Sequence, residues 1–142
     1  INQLPANFSV NTMDREVELA AKDVPVKVRV PLLNGFCFVI KRSVLDTIGL
    51  MDEKGFPRGF GEEDDFCIRS IDAGFGLAVA IDTYVFHAKS KSYGSAARNE
   101  LTKKGQLSLR QKHGEDRLWR SIETMKMNPY LADMRDALGH LA

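Results

Sequence analysis

Four consecutive carboxylates, Glu62-Glu63-Asp64-Asp65, follow the glycine-rich stretch 55–61 and open an apolar-periodic segment. Acids in the first turn of a helix complement its dipole, each contributing roughly 0.3–1 kcal/mol. Asp65 also stands four residues before Arg69, the spacing of a helical ion pair. One or two acids meet those structural needs. Four adjacent ones repel, so at least one is expected to hold its proton more tightly than usual. A carboxylate of that kind, beside a loop, is what a general base requires. His87 is the second candidate: it ends the run Tyr84-Val85-Phe86, and ligands collect at strand ends in open α/β sheets. The third is Lys89-Ser90-Lys91-Ser92, whose ammonium groups and hydroxyls suit a phosphate but lack the Walker spacing. Each has a structural counterpart: a dipole-matched helix start, a hydrogen-bonded histidine, a solvated loop. Cys37, Cys67 and His87 lack the close chelating spacing of a zinc site.

Positioning these groups takes an ordered set of elements. Thr12 is expected to cap a helix with Met13, Val17, Ala20 and Ala21 on one face, ended by Val24-Pro25. Residues 26–33 alternate apolar and basic as a half-exposed strand, and Pro31 bends its far end. The apolar run 36–40 reads as a buried strand. Ser43 with Asp46 opens a two-turn helix stopped by Gly49. The loop 51–61 precedes a helix over 62–73 with Gly74 at its end. Strands over 77–81 and 84–87 follow. Helices are expected over 97–113, over 115–127 and from Asn128-Pro129, the last with the stripe Leu131, Met134, Leu138 and Leu141. The order describes an α/β layer, a small mixed sheet with flanking helices and a helical tail.

Composition narrows the classes. The 142 residues are 44% hydrophobic and 27% charged, enough for one globular core and incompatible with a disordered tail. Two cysteines in apolar surroundings read as small buried thiols rather than a disulfide framework. No apolar run approaches the ~18 residues of a membrane span. Residues 1–88 carry a net charge of −4 and residues 89–142 one of +5. The basic tail suits an acidic membrane surface or docking on the body, and docking is the expected use. No aromatic-interleaved basic stripe points to nucleic acid.

Taken together, Asn34-Gly35-Phe36-Cys37, Leu50-Met51-Asp52-Glu53, Gly61-Glu62-Glu63-Asp64-Asp65-Phe66-Cys67-Ile68-Arg69, Ala73-Gly74-Phe75 and Val85-Phe86-His87-Ala88-Lys89-Ser90-Lys91-Ser92 form an ordered series. The series resembles the C-terminal half of a family 2 glycosyltransferase domain of the GT-A fold, bacterial type, over roughly residues 26–95. The resemblance implies inverting transfer of a sugar from a nucleotide-diphospho-sugar to a glycan or lipid-linked acceptor, assisted by Mg²⁺ or Mn²⁺. It puts the catalytic base at Glu63, in the pair Glu62-Glu63, with Asp64 as a substitute, because the family more often has Asp at that position. It makes His87 a metal ligand, sets Lys89, Ser90, Lys91 and Ser92 near the diphosphate, and sets Asn34 and Gly35 by the acceptor. Gly61 belongs to the same motif, and the loop 55–61 is expected to close over the acceptor.

A complete domain of that family begins with a nucleotide-binding half carrying Asp-x-Asp, and no Asp-x-Asp occurs here. The first residue is Ile1, not Met. The expectation is therefore a fragment, inactive alone, with residues 1–95 as the acceptor and base half and 96–142 as a helical extension. It would act in the cytoplasm or at the inner face of the membrane and could pair with a second copy through its exposed half-sheet. The alternatives are a non-catalytic carbohydrate- or protein-binding module of the same descent and, more remotely, a metal-dependent phosphoryl hydrolase using the acidic run and His87.

Overall fold

The first helix starts earlier than Thr12. Ser9 is the cap, its hydroxyl accepting from the Thr12 N–H at 3.1 Å, and α1 runs Val10–Ala20. In the computed structural model, residues 4–25, 27–87 and 95–139 are described. Beyond α1 the order is β1 (Lys27–Arg29), a 3-10 turn (Gly35–Cys37), α2 (Arg42–Ile48), α3 (Glu62–Asp72), β2 (Ala78–Ala80), α4 (Ser95–His113), α5 (Glu115–Lys126) and α6 (Pro129–Gly139). The described residues form a mixed α/β structure that is mostly helical, with six helices and one small sheet.

That sheet has two strands rather than the four expected. β1 and β2 pair antiparallel, with Lys27 opposite Ala80, Val28 opposite Val79 and Arg29 opposite Ala78. The run 36–40 is not a buried strand: Phe36 is exposed and Val39 is 92% exposed. Asn34 turns the chain instead, its side-chain carbonyl accepting from the Phe36 N–H at 3.1 Å. Residues 84–87 also lie outside any strand. The Tyr84 N–H, which a sheet neighbour would have used, donates to Asp14 Oδ1 on α1 at 2.7 Å, and Val85 and Phe86 stay exposed. An apolar run becomes a buried strand only where a neighbour pairs its backbone and another layer covers it. Among the described residues no strand pairs with 36–40 or 84–87, and although Tyr84 is buried the rest of 84–87 is not.

Other local readings change in smaller ways. Lys41 is the cap residue of α2 and makes no side-chain cap bond; Ser43 sits inside the helix, its carbonyl accepting from the Thr47 hydroxyl. Gly49 ends α2 at φ +79°, as a residue without Cβ can. Cys67 is buried but Cys37 is exposed. The basic helical tail is not left facing solvent alone: α4 packs on α3 and α6 on α1. The core joins Met13 and Val17 of α1, Val28 and Val30, Cys67, Leu77, Ile81 and Tyr84 with Met134 and Leu138 of α6.

Candidate functional site

Successive residues of a helix lie about 100° apart, so the four acids opening α3 face four different surroundings. Asp65 faces inward and is fully buried. Arg69 Nε donates to its Oδ2 at 2.8 Å, the predicted ion pair, while Lys112 Nζ and His113 Nε2 of α4 approach Oδ1 at 2.7 and 2.8 Å. Burial alone would raise the Asp65 carboxyl, and the hydrogen bonds from Lys112, Arg69 and His113 more than offset it, holding the group below its usual range. Asp65 is therefore a structural anion. Lys112 also binds Asp52 Oδ2 at 2.8 Å, and Asp52 Oδ1 accepts from the Lys54 and Gly55 N–H groups.

This arrangement pins the glycine-rich loop. Phe56 is buried, and a Cβ on Gly61, whose φ is +124°, would come within 3.0 Å of both Leu109 Cδ1 and Phe56 Cε1. On α4, Gly105 leaves room for the carbonyl of Phe60. The loop expected to close over an acceptor is instead clamped beneath α4. It sets the start of α3 rather than covering it.

The other three acids stay near the surface. Glu62 lies against Gly59, its Oε2 buried with no hydrogen-bond partner among the described residues. Burial, then the charge of Glu63, pushes its carboxyl up. Glu63 accepts from the Gly61 N–H at 3.3 Å, and its Cβ would lie 3.4 Å from a Cβ on Gly35. Asp64 is pushed up to about 6 by burial first and by the charges of Glu63 and Glu62 second. The expected high proton affinity is present, though desolvation contributes more to it than crowding.

Glu63 and Asp64 line an open groove of about 290 Å³, with Leu32, Leu33 and Asn34 on one wall and Ile122, Met125 and Lys126 of α5 on the other. The Leu33 N–H donates to Cys67 Sγ at 3.3 Å and ties the first wall to α3; burial raises that thiol to about 11, which keeps it a neutral packing group. At the 3-10 turn, the His87 ring stacks on Phe36 with centroids 4.6 Å apart and planes 12° from parallel. A Cβ on Gly35 would meet Glu63 and Phe36 stacks on His87, so the two main candidates neighbour one turn. Asn34, Gly35, Gly61, Glu62, Glu63, Asp64 and His87 thus gather in one region, while Lys89, Ser90, Lys91 and Ser92 lie outside the described residues.

Among the described residues, no three His, Cys, Asp or Glu side chains are grouped to hold a metal ion. A single imidazole does not make a site for Mg²⁺, which prefers oxygen ligands. The larger cavity, about 680 Å³, runs along α1 past Asp14, Arg15, Glu18 and Lys22 and touches none of the acids of α3. Sequence reading missed Lys112 and His113, which look like ordinary basic residues in a last helical turn, and it missed the α5 wall. No helix among the described residues is long and apolar enough to cross a membrane. No protein-family model, curated protein or solved structure matches the chain.

Proposed function

We propose that the chain is part of an inverting glycosyltransferase with a partial GT-A fold, transferring a sugar from a nucleotide-diphospho-sugar to an acceptor hydroxyl. The observation that carries this reading is the turn Gly35–Cys37, which has Glu63 beside its Gly35 and His87 stacked on its Phe36. An acceptor hydroxyl is a poor nucleophile. As its oxygen bonds to the anomeric carbon, opposite the departing diphosphate, its proton passes to the Glu63 carboxylate. Asp64, one residue on and in the same groove, is the second group able to take that proton. Glu62, with an oxygen enclosed beneath Gly59, supports the turn rather than meeting the acceptor. In this reading Mg²⁺ or Mn²⁺, the Asp-x-Asp carboxylates and the nucleotide pocket belong to an upstream half-domain, with His87 contributing one ligand.

Glu63→Gln in the complete enzyme is expected to cut transfer more than tenfold, a change of ~1.4 kcal/mol, with donor affinity unchanged. A smaller loss removes Glu63 from the role. The 142-residue chain by itself is expected to turn over no nucleotide sugar, and measurable transfer by it overturns the half-domain reading. The reading also requires about 100 further encoded residues with Asp-x-Asp ahead of Ile1, a normal domain complement. A start codon at that point would favour the non-catalytic binding module.

A further inference from the structure

The groove between α3 and α5 has a chemical character of its own. Leu32, Leu33, Ile122 and Met125 make its apolar surface, and Asn34, Glu63 and Asp64 set polar groups along one side. Among the described residues the only cation in its lining, Lys126, pairs with Glu123 at 2.9 Å, so the carboxylates decide the sign of the field. A phosphate-bearing lipid headgroup would be repelled there. A neutral ligand with hydroxyls on its rim and apolar C–H faces is matched on both counts, since hydroxyls donate to carboxylates and ring faces cover aliphatic side chains.

The apolar surface continues along α5. Trp119 precedes Ile122 by three residues, which puts both on one side of the helix a turn apart, and it is 63% exposed while Ile122 is 46% exposed. Trp119 does not line the groove itself, but its exposed indole on that side of α5 offers a flat apolar face for a ring to stack on. Its helix is tied to α3: the guanidinium of Arg117 pairs with both carboxylate oxygens of Asp72 at the end of α3. From Trp119 to Lys126 the helix rises about 10 Å at 1.5 Å per residue, room for a short chain of rings rather than one.

We propose that this groove, extended along α5 to Trp119, binds a neutral oligosaccharide, its reacting end at Glu63 and Asp64 and a more distant ring stacked on the Trp119 indole. The direction of the chain rests on the sugar-transfer reading; the site and its ligand class rest on the groove, its charge and the exposed indole.

Trp119 is the single tryptophan of the chain, so intrinsic fluorescence reports on it alone. The full chain is titrated, without donor, with cellotetraose, chitotetraose and maltotetraose up to about 10 mM, well beyond a millimolar Kd, and separately with phosphatidylglycerol vesicles. At least one tetraose is expected to give a saturable change in emission. Asp64→Ala should weaken that saccharide's binding at least threefold. Saturation-transfer NMR with Trp119→Ala, a surface change that spares the core, should show the same weakening. Silence with all three saccharides, a response to vesicles alone, or binding indifferent to both substitutions overturns the proposal. Since no turnover is measured, a saccharide that binds while Glu63→Gln leaves transfer intact in the complete enzyme keeps this site and removes only the assigned base.

Discussion

Asp64 and Asp65 share a peptide bond, yet the carboxyl of Asp64 is pushed up to about 6 and that of Asp65 is held below its usual value. Burial acts on both. The difference lies in the partners: Asp64 meets the charges of Glu63 and Glu62, while Asp65 meets Lys112, Arg69 and His113. The two groups therefore affect stability with opposite sign. For Asp64 the fold favours the protonated acid, so its contribution is complete below the ordinary value of 3.8 and is lost as pH rises through about 6. For Asp65 the fold favours the anion, so its contribution is present above 3.8 and is lost as pH falls through the lowered value. Asp64→Asn should accordingly be more stable than the parent at pH 7 by on the order of 1–2 kcal/mol, allowing for partial solvent screening, with the gain gone at pH 4. Urea unfolding at the two pH values checks this, and an equal difference at both would sink it. Asp65→Ala strands the Arg69 and Lys112 cations and the His113 ring around a buried gap and should cost about 3 kcal/mol at pH 7. A loss under about 1 kcal/mol in the same titration would mean that the cluster is solvated enough to need no anion.

At the scale of elements, α4 holds the start of α3 in place. Its Leu109 covers Gly61, its Lys112 and His113 reach Asp65, and its Gly105 lets the Phe60 carbonyl approach the helix. Helix propensity alone says that Gly105→Ala stabilises by about 1 kcal/mol. The packing says the reverse, because a Cβ there would meet a backbone carbonyl that has no rotamer to move. The expected result is a loss of about 2 kcal/mol, typical of forced overpacking, read from thermal unfolding; a raised Tm would refute the close approach. The helices themselves were legible. Periodicity and the stops at Gly74 and Gly114 bracket α3, α4 and α5 to within a residue or two, and Asn128 caps α6 by accepting from the Leu131 N–H. The acids, Asn34, Gly35 and His87 were also readable as one neighbourhood. The strands were not, because a short apolar run is consistent with a buried strand or an exposed turn until its neighbours are known. His113 and Asp65 are separated by 48 positions, and no local pattern links them. The α5 wall was hidden for the same reason: periodicity finds the helix but not which side meets α3.

At the scale of the whole molecule, the two ends of the chain support one another. Met134 and Leu138 of α6 join Met13 and Val17 of α1 in the core, and Asn128 Nδ2 donates to the Arg29 carbonyl beside the sheet. Burying side chains of that size contributes roughly 1.5–3 kcal/mol each, so two of them make up a large part of a total stability of about 5–15 kcal/mol. Removing residues 128–142 should therefore do more than trim a tail. The Met13 and Val17 face of α1 loses its cover, which loosens the helix whose Asp14 carboxylate fixes the Tyr84 backbone. Tyr84 leads directly into His87, so the stack of His87 on Phe36 depends on support relayed through α1. The truncated chain should lose cooperative unfolding by circular dichroism, and Met134→Ala, costing about 2–5 kcal/mol, should lower Tm without abolishing the transition. In the Met134→Ala protein, NMR should show the His87 ring protons moving away from their ring-current-shifted positions before the Asp65 cluster changes. A truncated chain melting within a few degrees of the parent, or a His87 signal unmoved in Met134→Ala, would show that α1 holds the His87 side of the site without α6.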